Sequence, residues 1–82
     1  MTGLTLYHRP ACHLCEQMLA AIYFHYGDEI EVALVNVDGD PALKQRYGTR
    51  IPVLAAGERV ICEGRLDEAA LQGYFHQKAG LA

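Results

Sequence analysis

An 82-residue chain with 51% hydrophobic and 21% charged residues suits a single domain, 1–82, with a thin core, and it lies far from disordered or collagen-like compositions. Seven Lys and Arg against ten Asp and Glu leave a net charge of −3, which argues against a general nucleic-acid binder. No run nears the ~20 apolar residues of a membrane span, and no basic segment leads into an apolar stretch of signal-peptide length. The expectation is a cytoplasmic, monomeric protein with neither membrane nor nucleic-acid partners. In that setting three cysteines point to catalysis or metal binding rather than to structural disulfides.

Gly3 to Tyr7 is short and β-prone, and Pro10 bars a helix from upstream, so a first strand and a loop to Ala11 are predicted. A helix follows from Cys12 to about Tyr26. Leu14, Met18, Ile22 and Tyr26 recur every four residues along it, Cys15, Leu19 and Tyr23 widen the stripe, and Gly27 stops it. Ile30 to Val37 is a nearly continuous apolar run, the pattern of a strand covered on both faces and parallel to the first, with the helix as a right-handed crossover. Asp40 as N-cap and Pro41 as first helical residue predict a short helix to Tyr47, ended by Gly48. Val53–Ala56 and Arg59–Cys62, separated around Gly57, read as an antiparallel hairpin. Asp67 to about Ala79 closes the chain as a helix, with Leu66, Ala70 and Tyr74 on one stripe and Leu71 and Phe75 beside it.

The chemistry concentrates at Cys12-His13-Leu14-Cys15. Cysteines three apart close a small disulfide or open to a dithiol, and a helix that begins at Cys12 points free N–H groups and its positive dipole end at that sulfur. Such settings lower a thiol pKa from about 8.5 to roughly 3.5–7.5. Spacing alone leaves dithiol chemistry and metal binding both open.

The order βαβ, helix, ββα with a C-x-x-C at the first strand-to-helix junction is the layout of the thioredoxin fold, an α/β four-stranded mixed sheet flanked by helices. Within it the chain resembles the glutaredoxins over nearly its whole length. Tyr7-His8-Arg9-Pro10-Ala11-Cys12-His13-Leu14-Cys15 is similar to the family's Tyr-Ser-Lys-x-x-Cys-Pro-Tyr-Cys. Arg50-Ile51-Pro52 stands where the family has Thr-Val-Pro, and Glu63-Gly64-Arg65-Leu66-Asp67 where it has Gly-Gly-x-Asp-Asp. Small bacterial glutaredoxin-like proteins with Cys-x-Leu-Cys are the nearest in pattern.

The resemblance implies that Cys12 is the nucleophile and Cys15 the more buried resolving thiol. It also implies a cis bond at Ile51–Pro52, against the about 5–6% base rate of cis X–Pro bonds, with the backbone of Ile51 pairing to a bound peptide or glutathione. Arg9, Arg50 and Arg65 fall on the three loops that the family gathers around the sulfur, and Arg9 stands where glutaredoxins have a glutathione-contacting Lys. Either these arginines form a cationic rim for the carboxylates of glutathione, or they are solvated charge. Glu63 replaces the first Gly of the family pair and Leu66 replaces an Asp that holds glutathione. Gly64 and Asp67 keep their places in the glutathione-binding set. His13 either supports the Cys12 thiolate when protonated or points into solvent, and Cys62 reads as a buried structural thiol.

The expected function is a small thiol–disulfide oxidoreductase acting on a disulfide-containing protein or a glutathione mixed disulfide. Glutathione or a flavoprotein reductase would return the electrons, with no bound cofactor and no metal. Two other readings are a zinc or shared Fe–S site, using Cys12, Cys15 and His13, His8 or Cys62, and a thioredoxin-fold interaction module without turnover.

Overall fold

The computed structural model describes residues 2–80. Strand β1 (Thr2–His8) leads to helix α1 (His13–Tyr26) and, after a 3-10 turn, to β2 (Ile30–Asn36). A second 3-10 turn (Val37–Gly39) precedes α2 (Pro41–Tyr47), then come β3 (Val53–Ala56), β4 (Arg59–Glu63) and α3 (Glu68–Gly80). The sheet runs β2-β1-β3-β4, with β1 parallel to β2 and antiparallel to β3, and β3 antiparallel to β4. The expected βαβ, helix, ββα order is therefore present, with β4 one residue longer than its sequence pattern implied.

The two-residue side-chain period of the strands divides the interior between the two faces of the sheet. Leu4 and Leu6 of β1 and Leu54 of β3 enter a core with Met18 and Ile22 of α1 and Leu71 of α3. Val53, one residue earlier on β3, enters a second cluster with Val37 and Tyr47, against which Tyr7 packs. The Tyr7 and Tyr47 rings stack at 4.4 Å between centroids. Helices α1 and α3 thus cover one face and α2 the other.

Two local devices fit these faces together. Gly57 is the first of two residues joining β3 to β4 and has φ 62°, the positive value a type II′ turn needs there. The ladder pairs Ala55 with Val60 but Leu54 with Cys62, so Ile61 is an extra residue that bulges. Ile61 and Cys62 consequently both reach the core of α1 and α3 although they are adjacent in sequence.

Two packing expectations are corrected. Strand β2 is not covered on both faces: it is the sheet edge, only Ile30 is buried within it, and Leu34 is 51% exposed. Its apolar run resembles that of a buried parallel strand because Ile30, Val32 and Val35 do meet the interior or its margin, while the edge position removes cover from the rest. On α1 the buried line is Cys15, Met18 and Ile22, with Leu19 and Tyr26 partly buried against the core, and Leu14 and Tyr23 are each 50% exposed. The helix is rotated by the i, i+3, i+7 line rather than the i+4 series, since Cys15 and not Leu14 faces the sheet. On α3 it is likewise Leu71 that is fully buried.

These placements predict a contrast measurable by chemical denaturation. Leu54→Ala, at a position with 0% exposure, is expected to cost about 2–5 kcal/mol, whereas Leu34→Ser on the edge strand is expected to cost less than about 1 kcal/mol. Equal costs would mean that β2 is buried after all.

Candidate functional site

Strand β1 pairs in parallel with β2 and is flanked on its other side by β3, so it fixes where its C-terminal loop emerges. After His8 the chain turns through Pro10 and Ala11, and Ala11 adopts φ 61°, a left-handed conformation that costs a non-glycine residue about 1 kcal/mol. Cys12 then takes the N-cap of α1, with extended backbone at φ −98° and ψ 106°. Its Sγ accepts a hydrogen bond from the N–H of Cys15 at 3.1 Å. That amide is one of the unsatisfied donors of a helix start, so the sulfur does the work a Ser or Asp does at other helices.

Cys12 and Cys15 form a disulfide, with their Cα atoms 5.2 Å apart. Cys12 is half-buried and Cys15 is 4% exposed. The peptide bond between Ile51 and Pro52 is cis, as the resemblance implied. Pro52 is buried, and its carbonyl accepts from the N–H of Gly64 at 2.9 Å, which ties the loop before β3 to the loop after β4. Gly64 has φ 83°, a backbone region that favours glycine.

The arginines do not converge as free cations. Arg9 binds Asp38 through both Nε, at 2.9 Å, and a terminal nitrogen, at 3.0 Å. Arg50 holds one Glu63 oxygen at 2.6 and 3.1 Å and lies over the Tyr47 ring, 5.3 Å from its centroid. Arg65 is exposed and lines a shallow depression with Gly64, Leu14 and Gln17. The hydrogen bond from Arg9 holds the Asp38 carboxyl below its ordinary range, and that from Arg50 does the same for Glu63. Asp67 serves α3: its carboxylate accepts the N–H of Ala70 at 3.0 Å. The His13 side chain is 94% exposed and lies 3.9 Å from Glu16, which is the solvent-facing alternative. Cys62 is a buried free thiol, and burial pushes its pKa up. Among the described residues no three His, Cys, Asp or Glu side chains gather as metal ligands.

Three roles escaped the sequence pattern. Asp38 and Glu63 act only as partners of arginines 29 and 13 residues away, and no local signal links them. Leu34 stands with Pro10, Ala11, Leu19 and the two cysteines around a groove of about 250 Å3. It was legible only as part of a strand.

A central strand running into a two-cysteine helix start, with a cis-proline loop ahead of the neighbouring antiparallel strand, defines a thioredoxin-like α/β protein with a thiol–disulfide pair. Residues 3–76 match the model of the glutaredoxin-like domain (DUF836), and the chain belongs to that family. It is similar to protein Ne2328 from Nitrosomonas europaea, solved by NMR, with 34% identity, TM-score 0.70 and 88% of each chain covered. It is also similar to protein XcR50 from X. campestris, solved by X-ray, with 33% identity and TM-score 0.72, covering 90% of this chain and 96% of that one. No curated protein matches.

The two ion pairs predict a pH dependence with a definite sign. Asp38 and Glu63 have depressed carboxyl pKa values in the folded state, so their stabilisation is present above the unfolded values of about 4 and is lost as pH falls through the folded ones. In thermal melts at low salt, the wild type is expected to exceed the Asp38→Asn/Glu63→Gln double variant at pH 7, with the difference shrinking towards pH 3 and in high salt. A difference independent of pH would show that the pairs contribute by packing and not by charge.

Proposed function

We propose that the protein is a thiol–disulfide oxidoreductase in which Cys12 is the nucleophile and Cys15 the resolving thiol. The observation that carries this reading is the unequal exposure of the two sulfurs of one disulfide at a helix N-terminus, with the Cys15 amide aimed at Cys12 Sγ. When the pair is reduced, that amide and the helix dipole stabilise negative charge on Cys12 in preference to Cys15. The Cys12 thiolate attacks one sulfur of a substrate disulfide, forms a mixed disulfide and expels the other sulfur as a thiolate. Cys15 then gives up its proton and attacks Cys12 Sγ, the substrate's second sulfur leaves, and two electrons have passed to the substrate as the Cys12–Cys15 disulfide closes. Two glutathione thiols, or the dithiol of a flavoprotein reductase, return the electrons.

Ile51 and Pro52 supply the backbone beside which a substrate chain would lie, and Gly64 keeps the adjoining loop close. Arg9, Arg50 and Arg65 would serve the glutathione carboxylates in this reading, with His13 and Asp67 in the same binding set. For Arg9 and Arg50 such a contact is made by a guanidinium that already holds Asp38 or Glu63 through Nε and one terminal nitrogen.

The test uses variants of the two cysteines. Cys12→Ser is expected to abolish reduction of insulin and of glutathione mixed disulfides, whereas Cys15→Ser is expected to retain the first attack and accumulate a mixed disulfide visible by mass spectrometry. In the reduced wild type near pH 6, iodoacetamide is expected to label Cys12 ahead of Cys15 and the buried Cys62. If both variants behave alike, or Cys15 is labelled first, the assignment of roles is wrong.

A further inference from the structure

Pro52 precedes β3 and so stands on the β3 side of the central strand, while the 250 Å3 groove lies on the opposite, β2 side, where both Cys12 and Cys15 form part of its wall. Its apolar lining comes from Leu6, Pro10, Ala11, Leu19 and Leu34. Leu34 shares a face of β2 with Ile30 and Val32, which reach the core, yet it is left 51% exposed beside the redox pair. The volume is below the roughly 300–1,000 Å3 of a drug-sized pocket, a size for one or two side chains.

Charge narrows the occupant further. Arg9 is the one Arg or Lys on the groove, and both its bonds go to Asp38, while His8 also stands on the wall. Glu16, also on the wall, is exposed, and the chain is acidic overall at −3. An anionic ligand here meets a carboxylate and an arginine already engaged, whereas an apolar side chain removes Leu34 and Leu19 from water at no electrostatic cost.

Building on the oxidoreductase reading, we propose that this groove receives a large aliphatic or aromatic side chain next to the reacting cysteine, so that the preferred substrate is a protein disulfide flanked by apolar residues. As the Cys12 sulfur bonds to the substrate cysteine and the partner sulfur departs as a thiolate, the neighbouring side chain lies against Leu34. Leu34 acts on specificity, and the exchange chemistry stays with the cysteines.

Two neutral peptides test this, Gly-Leu-Cys-Leu-Gly and Gly-Ser-Cys-Ser-Gly, each as its symmetric disulfide, with rates for reduced protein divided by those for dithiothreitol to remove intrinsic reactivity. The wild type is expected to favour the Leu peptide by about tenfold, the discrimination typical of a small apolar pocket. Leu34→Glu is expected to bring that ratio close to one, and Leu34→Ser serves the same comparison if the charged variant does not fold. A ratio near one in the wild type, or a preference that survives substitution of Leu34, overturns the groove assignment and leaves the oxidoreductase reading intact. Absence of exchange with either peptide, when dithiothreitol reduces both, removes the oxidoreductase reading and the groove assignment with it.

Discussion

The amide of Cys15 donates to the sulfur of Cys12 across 3.1 Å, and the rest of the site is placed by the strand and helix that this contact joins. A sulfur is a weak acceptor when neutral and a good one when charged, so a helix that uses it as a cap gains most in the thiolate form. The cap works only if α1 starts where β1 lets go. Pairing on both edges holds β1, the turn at Ala11 redirects the chain, and burial of Cys15, Met18 and Ile22 against the sheet sets the rotation of the helix. The unequal exposure of the two sulfurs follows from that rotation.

Electrostatics at the rim is organised differently from what a count of arginines implies. Pairing with Asp38 and Glu63 consumes the cationic character of Arg9 and Arg50 at short range, and exposed pairs of this kind are screened further by salt. The pairs do mechanical work: Arg9 joins the loop before the cysteines to the turn after β2, and Arg50 joins the loop before Pro52 to the end of β4. The loop before the cysteines and the loop before Pro52 are each fastened by side chains whose charges cancel.

The free edge of the sheet shapes the surface beside the disulfide. In a strand paired on both sides, Leu34 would have a neighbour. At the edge it remains half exposed and contributes apolar surface next to the disulfide. The bulge at Ile61 has the opposite effect, since it turns two successive residues inward and closes the core beneath β4.

Much of this was legible in the chain itself because it depends on neighbours in sequence. The C-x-x-C at a strand-to-helix junction, the Asp40-Pro41 helix start, the Gly57 hairpin and the βαβ, helix, ββα order are all local, and each residue type carries its own conformational preference. The cis geometry at Ile51–Pro52 came from family resemblance, since base rates point the other way. Other features were settled only by packing. Whether Leu14 or Cys15 faces the sheet differs by one helical position, and an apolar helix with a wide stripe permits either until the sheet fixes the rotation. Whether β2 is central or at the edge depends on which strand β1 accepts on its other side, a choice made by Val53–Ala56 more than fifteen residues downstream. The partners of Arg9 and Arg50 likewise come from distant segments, so their charges could be counted from the sequence, but their cancellation belongs to the tertiary structure.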